Sequence, residues 1–333
     1  MTDIPNLSAL NGLNKTLHLD FSKDRIPTRN GYGDGLLELG KTNKNIMVLC
    51  ADLTESTRVE AFAKKYPQQF IEIGVAEQNL VTVASGLAAM GKIPFVSSYA
   101  CFCPGRCWEQ IRTTICYNDR NVKIIGAHAG ISVGPDGATH QMLEDIALMR
   151  ALPNMIIIVP ADYEQTKKAT LALAKYRGPA YMRFAREKTP QLTTVKTPFE
   201  IGKAQILKQG TDLAIIGAGP IIAQCLNAAA ILQTKHINVA VINCHTIKPL
   251  DTTTILSIAK QCKRIITVEE AQITGGLGGV ISEFLSETDP TPIKRIGVRD
   301  HYGESGTPDE LLHKFGFSAE HIAQEAIKFI KNK

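Results

Sequence analysis

Short apolar runs rich in β-branched residues alternate with stretches of helical periodicity along this chain, and that alternation restricts the fold more than any single motif. The strand candidates are Ile46–Ala51, Phe70–Gly74, Ile93–Ser98, Val122–Ala127, Met155–Val159 and Ala180–Phe184, then Asp212–Ile216, Asn238–Ile242, Arg264–Val268 and Ile293–Val298. In the second half, helical patterns lie near 220–234, 251–262, 277–287 and 307–330. Strands separated by helices make mostly parallel sheets with helices over their faces. Glu187–Glu200 loses this periodicity and carries Pro190 and Pro198, which predicts a linker. The fold class is therefore α/β, with two tandem α/β domains, each a mostly parallel sheet covered by helices. The expected boundaries are an N-terminal extension over 1–25, a first domain over 26–188, a linker over 189–200 and a second domain over 201–333.

A chain of 333 residues with 44% hydrophobic content can bury two cores. No apolar run approaches the roughly 18 residues of a membrane span, and Met1–Pro27 is polar and mixed in charge, unlike a signal peptide. The expectation is a cytoplasmic protein with no membrane association. The net charge of +5 is mild and its basic residues are scattered, which argues against nucleic acid and suits small anionic substrates. Eight cysteines lie mostly in apolar patterns and read as reduced thiols. Cys101, Cys103 and Cys107 are clustered, but their spacing fits no zinc pattern, so no metal site is assigned to them.

Two glycine loops invite a dinucleotide reading and do not support it. Gly217-Ala218-Gly219-Pro220 lacks its third glycine, Ile222 standing in that place, and the next strand ends in Asn243 without an acidic residue. Gly275-Gly276-Leu277-Gly278-Gly279 has the form of an ordinary structural turn.

The residues suited to chemistry cluster after the strands of the first half. Ile71 to Asn79 reads as a buried strand running into a helix, which puts Glu77 in the helix's first turn and largely out of water. Such a glutamate can simply match the helix dipole or serve as a shielded acceptor. The stretch from His128 through Asp136 to His140 and Gln141 is a glycine-rich loop at a strand's carboxyl end, where parallel sheets place their sites. Two imidazoles can move protons or donate to a developing alkoxide, and an aspartate can orient hydroxyls. Tyr99 and Phe102 offer aromatic faces after the strand that ends at Ser98. Arg29, Ser56 and Arg186, near other strand ends, can grip a phosphate.

Taken in order and spacing, Pro27 to Arg29, Ala51 to Ser56, Gly74 to Gln78, Pro94 to Phe102, His128 to Gln141, Leu152 to Asn154, Pro160 to Asp162 and Arg186 to Leu192 resemble the C-terminal half of transketolases, including versions split into two subunits. They resemble, more distantly, deoxyxylulose-phosphate synthase and the β subunits of 2-oxo acid dehydrogenases. The resemblance covers nearly the whole chain and implies a thiamine-diphosphate pyrimidine-binding fold followed by a transketolase C-terminal domain. It implies that Glu77 hydrogen-bonds N1′ of the cofactor's aminopyrimidine and favours the imino tautomer that takes the thiazolium C2 proton. It further implies that Phe102 stacks on that ring, that Tyr99 lines the same pocket, and that Asp52 faces the cofactor near a subunit junction. His140 and Asp136 would contact the donor sugar, His128 would lie along the substrate channel, and Arg29, Ser56 and Arg186 would hold its phosphate. Arg183 rivals Arg186 for the last role. Arg106, near the stacking aromatic, is placed with the cofactor-binding residues; it resembles the synthase branch and leaves the acceptor specificity open.

Family members hold the diphosphate and its Mg²⁺ through a Gly-Asp-Gly motif followed by asparagine ligands, in an N-terminal domain that the resemblance does not cover. Gly33-Asp34-Gly35 does not serve, because no asparagine occurs between Glu55 and Phe70 and the segment falls where the family opens a helix. The resemblance thus implies a split enzyme, with thiamine diphosphate and Mg²⁺ bound mainly by an N-terminal transketolase subunit as partner. An α2β2 heterotetramer acting on sugar phosphates is the expected assembly. The competing readings are a 2-oxo acid dehydrogenase β subunit, a deoxyxylulose-phosphate synthase-like enzyme, a nicotinamide-dependent oxidoreductase and a non-catalytic scaffold.

Overall fold

Runs such as Ile46–Cys50, Lys123–Ala127, Ala180–Phe184, Leu213–Gly217 and Val239–Asn243 are buried at every position, as strands must be when helices cover both faces of a sheet. A computed structural model describes residues 7–18, 20 and 25–331. Part of the expected N-terminal extension lies outside the described residues. In chain order the first half contains β1 (Arg25–Pro27), α1 (Thr28–Thr42), β2 (Ile46–Cys50), α2 (Glu60–Lys65), β3 (Phe70–Glu72), α3 (Glu77–Ala89), β4 (Ile93–Tyr99), α4 (Trp108–Gln110, continued by π winding over Ile111–Cys116), β5 (Lys123–Ala127), α5 (Asp145–Arg150), β6 (Ile156–Ile158), α6 (Tyr163–Lys175), β7 (Ala180–Phe184) and β8 (Lys188–Pro190). The second contains β9 (Gln205–Lys208), β10 (Leu213–Gly217), α7 (Ile222–Gln233), β11 (Val239–Asn243), β12 (Thr246–Lys248), α8 (Thr252–Cys262), β13 (Ile265–Gln272), α9 (Leu277–Thr288), β14 (Ile293–Val298), α10 (Pro308–Lys314) and α11 (Ala319–Lys331).

The first sheet has the order β12-β6-β7-β5-β4-β2-β3 and the second β14-β13-β10-β11-β9. Both are parallel apart from β12 and β9, which run antiparallel to their neighbours. Strand β12 belongs in sequence to the second half yet pairs with β6 of the first sheet, Thr246 opposite Ile158. The halves are also joined by a shared core that includes Met47, Val96 and Tyr181 from one and Ala218, Cys244 and Ile281 from the other.

Three local expectations differ from the structure. The run Phe70 to Gly74 is not a buried strand: β3 is short, lies at the sheet's edge and is half exposed. The helical stretch near 307–330 is two helices, broken where Gly316 takes φ +79, a conformation that glycine adopts without strain. The predicted linker contains β8, which pairs with β1, and its continuation is held by the buried Asp162. That carboxylate accepts from Leu192 N at 2.8 Å, from the Thr193 backbone N–H and from Thr193 Oγ1 at 2.7 Å, while capping α6 through Gln165 N at 2.8 Å.

Four donors on one buried acceptor make Asp162 a stability determinant. Asp162→Ala is expected to lower the unfolding free energy by about 3 kcal/mol or more, read from urea denaturation, because each donor left unpaired costs ~1 kcal/mol or more. A loss below about 1 kcal/mol would mean that water replaces the carboxylate.

Candidate active site

Register places the candidate residues side by side. In the first sheet Cys50 is opposite Ser97, Tyr99 opposite Ala127, and Ala127 opposite Phe184, so the segments leaving β2, β4, β5 and β7 emerge in one row at the carboxyl edge. Asp52 and Ser56 follow β2, Tyr99 ends β4 and Phe102 follows it, His128 follows β5 and Arg186 follows β7.

Glu77 is the first residue of α3 and is 3% exposed. Its Oε1 accepts from Ser98 Oγ at 3.0 Å and its Oε2 from Arg106 Nη1 at 3.2 Å. The half-exposed Arg106 guanidinium lies over the Phe102 ring, its carbon 4.0 Å from the centroid. Phe102 and Tyr99 stack with centroids 6.0 Å apart, Tyr99 and His128 stack at 4.0 Å, and His140 meets Phe102 edge-on at 5.4 Å. A carboxylate thus stands beside a wall of flat rings.

His128 is 1% exposed, takes φ +55 and, among the described residues, has no hydrogen-bond partner for Nδ1. A non-glycine residue in the left-handed region is uncommon and concentrates at functional sites. Burial pushes its pKa down to about 3, helped by the charges of Arg29 and Arg186 and by His140, so the ring is neutral near pH 7. His140 Nδ1 and Thr139 Oγ1 are 2.9 Å apart.

Arg29 donates to the carbonyl of Ser56 at 2.9 Å, and its buried Nε has no partner among the described residues. Burial lowers its pKa, and the charges of Arg58 and Arg186 lower it further, which puts three guanidiniums in one neighbourhood. Arg186 donates to Asp136 Oδ1 at 3.0 Å and to Val133 O at 3.2 Å. Arg183 points elsewhere, into a buried pair with Asp145 at 3.3 Å. Asp52 is exposed at φ +56, its N–H donating to Glu72 Oε1 at 2.7 Å.

The sequence alone does not single out Ser98, Arg58 or Glu72. Ser98 had one usable signal, a hydroxyl residue ending an apolar strand; Arg58 and Glu72 had none.

The glycine motifs are structural. Gly33-Asp34-Gly35 lies inside α1, where a Cβ on Gly33 would stand 2.6 Å from Arg58 O and one on Gly35 2.9 Å from Thr170 of α6. Asp34 accepts from Tyr163 OH at 2.7 Å. The dinucleotide reading fails on space: the Gly217–Gly219 loop packs against Val159 of the first domain, and the cavity there measures ≈20 Å³. At the other loop, Glu269 already occupies the N-terminus of α9, accepting from Leu277 N at 2.6 Å and Gly278 N at 2.8 Å. All eight cysteines are free thiols, and among the described residues no three His, Cys, Asp or Glu side chains are grouped to hold a metal ion.

Comparison with known proteins decides the family. The model of the transketolase pyrimidine-binding domain matches residues 24–191 and that of the transketolase C-terminal domain residues 202–322. The chain belongs to the transketolase family. A Methanocaldococcus jannaschii protein provisionally named a transketolase C-terminal section is 45% identical over 92% of this chain and 96% of its own length. One of the subunits of an apulose-4-phosphate transketolase from Phocaeicola vulgatus is 39% identical over 93% of this chain and 99% of its own. Among solved structures, a split-gene transketolase described as an inactive β4 tetramer superposes with a TM-score of 0.86 at 43% identity, over 92% of this chain and 98% of that one. The relatedness is to transketolase C-terminal subunits, and thiamine diphosphate is the cofactor the family implies.

The His128 environment makes a pH prediction. Its pKa in the fold lies below the 6.5 of an unfolded chain, so the unfolded state binds the extra proton first and stability is lost as pH falls from about 6.5 toward 3. His128→Asn, which tolerates the same backbone, is expected to flatten that loss by up to about 2 kcal/mol between pH 7.5 and 5 in urea unfolding. An equally steep acid limb in the variant would place the buried charge penalty on another group.

Proposed function

We propose that this chain is the C-terminal subunit of a two-chain transketolase, which transfers a two-carbon ketol unit from a ketose phosphate to an aldose phosphate. The observation that carries the reading is the buried Glu77 carboxylate, linked through Arg106 to the face of Phe102, within one site that also contains two histidines and a group of arginines. Those residues fit an aminopyrimidine, which needs one acceptor for a ring nitrogen and one flat apolar face. Thiamine diphosphate supplies, when bound, the nucleophilic carbon that carries the two-carbon unit.

On this reading Glu77 accepts a hydrogen bond from the pyrimidine, Phe102 and Tyr99 bear on the ring, and Asp52 faces the cofactor at the subunit junction. Arg106 competes with the ring for Glu77 Oε2 and for the face of Phe102. His128, kept neutral, and His140 exchange hydrogen bonds with the donor's oxygens, and Asp136 orients a donor hydroxyl. Arg29, Ser56 and Arg186 hold the phosphate, and Arg58 adds a third guanidinium to that end. Three such groups favour a phosphorylated sugar over the small carboxylic acid of a 2-oxo acid dehydrogenase.

The diphosphate and its Mg²⁺ are assigned mainly to an N-terminal partner subunit, in an α2β2 assembly. In support, the related β4 tetramer, built of β chains alone, is described as inactive. The free thiols fit a reducing cytoplasm. Relatives are named for apulose 4-phosphate and for 6-deoxy-6-sulfo-D-fructose, so the donor is an open choice among ketoses that carry an anionic group.

Two-carbon transfer from xylulose 5-phosphate to ribose 5-phosphate, with thiamine diphosphate and Mg²⁺, should appear only when the partner subunit is added. Transfer by this chain alone would refute the split-site reading, and pyruvate decarboxylation by the pair without transfer would replace the activity. Arg29→Ala should raise the donor KM by roughly 10- to 100-fold, the worth of a charged hydrogen bond to phosphate. An unchanged KM would remove Arg29 from the phosphate grip.

A further inference from the structure

The loop that carries His128, Asp136 and His140 belongs to the pyrimidine-binding domain, yet much of what holds its shape comes from the other domain. Its own domain ties the ends: Ala129 N donates to Phe184 O at 3.2 Å, and Gly130 N to Met142 O at 2.9 Å. Between those ties the chain makes a tight turn over Ile131–Asp136, interrupted at Gly134 with φ +83. The first N–H groups of such a turn have no partner within it, and buried N–H groups need one.

Glu270, on β13 of the C-terminal domain, provides it. Its Oε2 accepts from Ser132 N at 3.1 Å. The backbone of Glu270 is itself fixed, since its carbonyl accepts from Arg183 Nη2 at 3.1 Å and Arg183 is paired with Asp145, whose other oxygen accepts from Tyr181 OH at 2.6 Å. Adjacent residues of a strand point to opposite faces, so Glu269 turns inward to cap α9 while Glu270 turns toward the loop. Glu270 keeps some accessible surface, where it lines the ≈20 Å³ cavity between the domains with Ala129 and Arg183.

Close approach is built in on the loop's side. Gly130 takes φ +93, and a Cβ there would lie 2.8 Å from Glu270 Oε2 and 3.3 Å from Arg183 Nη2. The far end of the loop is seated the same way. Buried Gln141 donates through Nε2 to Gly134 O at 3.0 Å and to Glu304 O of the C-terminal domain at 2.9 Å. A Cβ on Gly137 would meet Ser305 Oγ at 2.6 Å.

We infer that Glu270 is a positioning residue for donor-sugar recognition: from the C-terminal domain it fixes the loop that presents His128, Asp136 and His140, without touching substrate. The C-terminal domain then has a part in the reaction beyond assembly. The inference rests on the transketolase reading of the loop.

The test uses the complex with its partner subunit. Glu270→Met keeps length and removes the acceptor; Glu270→Gln keeps an amide oxygen that can accept. Donor kcat/KM should fall about tenfold or more in Glu270→Met, as displaced contact groups lower rates steeply, and stay within about threefold in Glu270→Gln, which retains the hydrogen bond. Half-saturation by thiamine diphosphate should not move in either. Gly130→Ala, which pushes the loop off Glu270 from the other side, should reproduce the donor defect. In the isolated chain the imidazole NMR signals of His128 and His140 should shift in Glu270→Met and not in Glu270→Gln. Wild-type donor kinetics with unshifted histidines in Glu270→Met would overturn the proposal, as would an activity loss that only follows the loss of folded protein. If the wild-type complex transfers no two-carbon unit, the functional reading fails, and the histidine signals still decide whether Glu270 sets the loop.

Discussion

Removing a carboxylate from water costs several kcal/mol unless polar groups replace its hydration, and the architecture around Glu77 meets that requirement. The residue opens α3, where the helix's free N–H groups favour negative charge. Ser98 at the end of β4 and Arg106 before α4 supply one donor to each oxygen. Each of these groups is in place because a strand or helix ends there: β3 delivers the chain to α3, and β4 delivers Ser98, Tyr99 and then Phe102. Displacing α3 by a fraction of a turn would leave the charge unsatisfied.

The same logic extends across the domain junction. The first sheet is completed by β12 from the second half, and the shared core runs through both. Carboxylates beside this junction hold backbone in place: Asp162 anchors the connecting segment, Glu269 caps α9 and Glu270 reaches the histidine loop. Burial raises the pKa of each of them, so they are retained against a desolvation cost. The two domains therefore act as one scaffold under the loops at the carboxyl edge of the first sheet.

Local periodicity was enough to read the α/β class, the parallel sheets, the first-turn position of Glu77 and the crowding of His128, Asp136 and His140 in one loop. Contacts between distant residues were not readable that way. Nothing in Thr246–Lys248 announces a strand that crosses to the other sheet, because three residues carry no usable period. The edge position of β3 depends on strand order, which alternation leaves open. Arg106 lies 29 positions from Glu77 and Glu270 lies 138 from Ser132; only the folded chain pairs them. The sequence excludes Gly33-Asp34-Gly35 by its surroundings alone, while the reasons for its glycines, the close approach of Arg58 at Gly33 and of α6 at Gly35, need coordinates.

On the proposed function, the shielded Glu77 carboxylate acts on the cofactor's pyrimidine. Hydrogen–deuterium exchange at C2 of thiamine diphosphate, followed by NMR in the two-subunit complex, reads that action without any sugar. Glu77→Gln is expected to retain bound cofactor but to slow exchange by on the order of 10³, the scale of lost acid–base assistance. Exchange at the wild-type rate in Glu77→Gln, with cofactor bound, would contradict it.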